Sequence, residues 1–132
     1  MTLPRDADSL YDRGVIELNR GEYVAAQELF ERALRREPEA AHIHYGLAAT
    51  RARLGAIDTA LKSLERALDL QPSLRIRAQR DQDLNPLRSD PDFEQLVLLR
   101  AISSSNTYHY LARSYFQRFP VSSIILSHVT AG

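Results

Sequence analysis

The chain has 132 residues, enough for one domain, and 44% of them are hydrophobic, which supports a packed core and argues against wholesale disorder. Seventeen Lys and Arg balance seventeen Asp and Glu, and that neutrality argues against a nucleic-acid partner, whose phosphates call for a basic surface. The absence of cysteine excludes disulfides, thiolate metal sites and a cysteine nucleophile.

The first residues, Met1 to Asp8, are polar and acidic with no apolar run, which does not read as a secretory leader. No stretch approaches the roughly 18 apolar residues of a membrane span. The expectation is a cytoplasmic protein with no membrane partner.

Leu10, Gly14 and Leu18 recur every four residues with Tyr11 and Val15 beside them, which predicts a helix over roughly 7–20. Gly21, free to take positive φ, follows as a stop. Tyr23, Ala26, Phe30, Ala33 and Leu34 predict a second helix over roughly 23–36, closed by Pro38. The next two helices copy the first two. One carries Tyr45, Leu47, Ala48 and Ala52 and stops at Gly55; the other carries Ile57, Ala60, Leu61, Leu64, Ala67 and Leu68 and stops at Pro72. Residues 7–40 and 41–74 therefore align without a gap. Nine columns are identical: Ala7/Ala41, Tyr11/Tyr45, Gly21/Gly55, Ala26/Ala60, Glu31/Glu65, Arg32/Arg66, Ala33/Ala67, Leu34/Leu68 and Pro38/Pro72. A period in this range signals stacked units, each an antiparallel helix pair, rather than one closed globule.

The pattern of Gly14, Ala26, Phe30, Ala33 and Pro38, repeated as Ala48, Ala60, Leu64, Ala67 and Pro72, resembles the tetratricopeptide repeat. The small residues let helix backbones approach, and the large apolar ones fill the space beside them. One departure is the first helix position that the family usually fills with Trp. It holds Leu10 in the first unit and His44 in the second, where a looser contact is expected. The resemblance implies an all-α fold, a short right-handed superhelix of antiparallel helix pairs: two units plus a partial third and a capping helix.

Two units leave apolar end faces. Ile76 and Ala78 place a further helix at about 73–81, which breaks at the run Asp81 to Pro86. The stretch from Asp83 to Leu96 resembles the terminator of many bacterial tetratricopeptide arrays. Asp90 is a good N-cap, Pro91 suits the first helical position, and Asp92 and Glu94 lie in the positive first turn. Phe93, Leu96 and Val97 share a face, so 91–100 reads as a closing helix and 75–100 as the capping element. All seventeen acidic residues lie at or before Glu94, a shift that marks a boundary near residue 100 between a repeat domain (1–100) and a tail (101–132). In the tail, Tyr108, Leu111, Ala112, Tyr115, Phe116 and Phe119 form an aromatic stripe on a helix expected at about 105–119, which Pro120 ends. The run Val121 to Val129 has high strand propensity. Three destinations stay open for the stripe. It covers the terminal repeat, it joins chains into a homo-oligomer through Tyr108, Leu111, Tyr115, Phe116 and Phe119, or it belongs to an unstructured extension.

No catalytic constellation stands out, and the reading is not an enzyme, with neither cofactor nor metal. His42 and His44 are two apart and point to different helix faces. His109 and His128 are isolated, Asp81 and Asp83 suit a turn, and Arg35-Arg36 suits a helix C-terminus. The resemblance instead implies a concave groove that receives a peptide or helix of another protein. Its lining would be Asp8, Tyr11, Val15, Leu18 and Asn19, then His42, Tyr45, Ala49, Ala52 and Arg53, continued by Ile76 and Gln79. The family's chaperone-tail clamp of Lys and Asn is replaced here by Tyr11, Val15 and Gly46; only Arg80 fits, so a chaperone C-terminus is not the expected partner.

Overall fold

The computed structural model describes residues 6–99. The expected tail helix with its aromatic stripe lies outside them. The described chain is helical throughout: α1 (Ala7–Asn19), α2 (Tyr23–Arg36), α3 (Ala41–Arg53), α4 (Ile57–Leu70), α5 (Leu74–Arg80), a 3-10 segment (Gln82–Leu87) and α6 (Pro91–Glu94), which runs on into one wide π-helical turn (Gln95–Leu99). α1 pairs with α2 and α3 with α4, and the two hairpins stack through α2 and α3.

Local chemistry sets the boundaries. The Asp6 carboxylate caps α1 by accepting from the Ser9 amide at 2.7 Å, which also holds that carboxyl below its ordinary range. Gly21 (φ 82°) and Gly55 (φ 80°) turn the chain between paired helices. Both are left-handed positions that β-carbon-bearing residues resist.

The core has two parts. In the first, Phe30 is fully buried, with Ala26, Ala33, Leu10, Ile43 and Leu47 about it. Its ring lies against both Gly14 and Gly46; a methyl group at either would fall 2.7 or 2.9 Å from ring carbons. Gly46 therefore belongs to the contact between hairpins and not to a groove wall, a correction to the clamp comparison. The second part spreads from α3 and α4 to Leu84, Leu87, Phe93, Leu96 and Val97. The capping element thus completes the core of the second hairpin. Thr50, wholly buried, donates its hydroxyl to the Gly46 carbonyl one turn back at 2.8 Å.

Two expectations change in detail. The run after Asp81 is a tight 3-10 turn rather than a plain break. Asp81 caps it by accepting from the Asp83 amide at 3.0 Å, and Pro86 sits where continued α-helix would need its missing donor. The closing helix is a four-residue α-helix followed by the π turn, with Asp90 accepting from the Asp92 amide at 2.9 Å as its cap.

Candidate functional site

The face shared by α1 and α3 is where the expected groove should lie, and the structure divides it in two. In the first half, Tyr11 is half-buried. Its ring stands 5.7 Å from that of Phe30 and meets His42 edge-on at 4.6 Å. Val15 and Leu18 are half-buried along α1, while Asp8, Asn19 and His42 are exposed. This half presents an apolar strip with an imidazole beside it and a carboxylate at one end.

The second half is filled by the chain itself. Tyr45 is 2% exposed, and Ala49 and Ala52 are equally buried. These three expected lining residues are core, not groove surface, because the 3-10 segment packs on α3 and drives Leu84 and Leu87 against it. The Tyr45 hydroxyl donates to Asp81 Oδ2 at 2.8 Å. The Arg77 guanidinium lies 4.6 Å from the Tyr45 ring centre and 3.7 Å from the same Asp81 oxygen. Burial, then the bond to the Asp81 carboxylate, pushes the Tyr45 hydroxyl far above the ordinary tyrosine range. Burial and the neighbouring Asp81 charge also raise Asp83, with Arg53 opposing from 3.7 Å.

Arg53 closes the far end. Although exposed, its Nε–H donates to the Tyr23 hydroxyl at 3.0 Å, tying α3 to α2. Of the expected continuation, Ile76 is exposed and Gln79 is tied to the terminal turn, its amide donating to the Val97 carbonyl at 3.0 Å. His44, where Trp is usual, donates from Nε2 to the Pro38 carbonyl at 2.7 Å, so a hydrogen bond replaces the aromatic packing. His42 and His44 do face apart.

Sequence reasoning gave Asp81 to a turn. It is also the partner of Tyr45, and the only available signal was a carboxylate in a terminator that must meet a tyrosine 36 residues away. Among the described residues no group of three or more His, Asp or Glu is placed to hold a metal ion, and no helix is long and apolar enough to cross a membrane.

Stacked antiparallel helix pairs, with small residues under a large ring and a shared face of first helices, define an all-α helical-repeat protein. Residues 11–74 match the family model described as tetratricopeptide repeat, so the two helix pairs form a tetratricopeptide-repeat region. No curated protein and no solved structure matches it. Tetratricopeptide repeats generally mediate protein–protein interaction, and the family is typically non-catalytic.

Proposed function

We propose that the protein is a non-catalytic interaction module that binds a peptide or helix of another protein on the first half of the groove. The observation that carries this reading is the Tyr11–His42 edge pair, on a face that also presents half-buried Val15, while the second half is already covered. Half-buried aromatic groups suit a partly apolar partner because they offer contact area with little rotamer freedom to lose. The test compares pull-downs by the full-length protein, by Asp8→Arg with His42→Glu, and by Tyr11→Ala. Partners lost from all the variants while helix content persists support the groove; partners captured equally by all three sink it. Tyr45 is no use as a groove probe, because its removal opens the core.

A second reading is favoured by the charge distribution. Residues 6–99 hold all seventeen carboxylates but thirteen of the seventeen cations, and the sequence beyond carries Arg100, Arg113 and Arg118 with no acid. In this reading the aromatic tail of one copy is drawn to the exposed carboxylates Asp8 and Asp12, one turn apart on α1 of another, and the module self-assembles.

A further inference from the structure

On the side of α3 opposite His42 and Tyr45, the residues His44, Leu47 and Arg51 follow at three- and four-residue steps. They floor an open cleft of about 410 Å³ between α2 and α4. Its walls carry Arg35 from α2 and Lys62 and Arg66 from α4, so with Arg51 four cations face one lining carboxylate, Glu31, in a chain of zero net charge. Leu34 and Leu47 give the cleft an apolar base.

Arg51 is fixed in this cleft before anything binds. Its Nη1–H donates to the nearly buried Ser63 hydroxyl at 2.8 Å and its Nε–H to Gln27 Oε1 at 3.3 Å. Its contact with Glu31 is long, 3.9 Å, and so is that of Arg66 with the exposed Glu39, also 3.9 Å. Ion pairs this long in water are weak and readily exchanged for a better carboxylate. A guanidinium already held in place loses little freedom on meeting an anion. The base of two leucines calls for an apolar side chain between the charges. The lining has no Phe, Tyr or Trp for bases to stack on, and the His44 ring is engaged with Pro38, which favours a protein over single-stranded RNA. The chain's own residues from 95 to 132 have no Asp or Glu with which to flank an apolar side chain.

We propose that this cleft docks an acidic segment of a partner protein, one in which carboxylates flank an apolar side chain. It is a second interaction surface, separate from the groove on the other face. The test follows amide shifts of Leu34, His44, Leu47 and Ser63 in isotope-labelled full-length protein. The probes are a Glu/Leu peptide of twelve residues, its Lys/Leu counterpart, and oligouridylate. The expected result is a saturable shift with the Glu/Leu peptide alone, weakened about tenfold by Arg35→Glu with Lys62→Glu and by raised salt. Arg35→Gln and Lys62→Gln singly serve if the double reversal does not fold as judged by circular dichroism. Three results overturn the proposal: no saturable shift with the Glu/Leu peptide up to about millimolar, equal shifts with the Lys/Leu peptide, or tighter binding of oligouridylate at these amides.

Discussion

Phe30, Gly14 and Gly46 behave as one packing unit, since a ring with no exposed surface rests on two positions that have no room for a methyl group. Gly14→Ala gains about 1 kcal/mol of helix propensity but overpacks the ring, for a net loss on the order of 1–2 kcal/mol. Thermal denaturation should show that loss shrinking in a Phe30→Leu background; additive effects would contradict the contact. Tyr45 supplies a second residue-scale prediction. Tyr45→Phe removes one hydrogen bond and should cost about 1 kcal/mol, whereas Tyr45→Ala opens the core and should cost about 3–5 kcal/mol. Because the folded hydroxyl titrates above the unfolded one, the unfolded chain loses its proton first as pH rises past about 10. The bond therefore contributes fully below pH 10 and its benefit drains away above it. Urea denaturation between pH 8 and 11 should show a loss steeper than in Tyr45→Phe by up to about 1.4 kcal/mol per pH unit; equal slopes would mean that Tyr45 is not buried as described.

At the scale of elements, the segment Gln82–Leu87 has two roles at once. It closes the core of the second hairpin through Leu84 and Leu87, and it covers Tyr45, Ala49 and Ala52 of α3. Arg88 pins it, donating from Nη2 to the Asp81 carbonyl at 2.9 Å and from Nε to Asn85 at 2.8 Å, with its guanidinium 5.3 Å from the Phe93 ring centre. Leu84→Ala and Leu87→Ala should each cost about 2–5 kcal/mol, a large share of the stability of a small domain. Hydrogen exchange should then rise first in α4 and the C-terminal half of α3, whose buried residues share a cluster with Leu84 and Leu87, with α1 and α2 protected for longer. Uniform loss of protection would show instead that the hairpins open together.

At the scale of the whole molecule, two hairpins and a cap make a unit with two different faces. One carries the Tyr11–His42 aromatic–imidazole pair, and the other a cationic cleft. Light scattering should give a mass above the monomer for the full chain at low salt, falling as salt screens the tail's arginines, and a monomer for residues 1–100. A monomer in both cases removes the self-assembly reading and leaves the groove to another protein.

The helix pairs were legible from local chemistry. A spacing of three and four along each helix, glycine at Gly21 and Gly55, proline at Pro38 and Pro72, and the cap at Asp90 are short-range signals, and a period that doubles them makes them hard to miss. The candidate groove was half legible. Tyr11 is half-buried and His42 exposed, but Tyr45, in the same column as Tyr11, is covered. Column identity reports only a residue's place on its own helix. What covers that place is decided by the segment that comes next in space, and only the first unit has another repeat there. The second has Asp81 and Leu84 to Leu87 instead, brought over α3 because the apolar end face has to be closed. Sequence alone thus determined the repeat, its turns and its cap, all encoded within a few residues. Only tertiary packing decided which of two equivalent tyrosines stays at the surface and which is buried against a carboxylate 36 residues away.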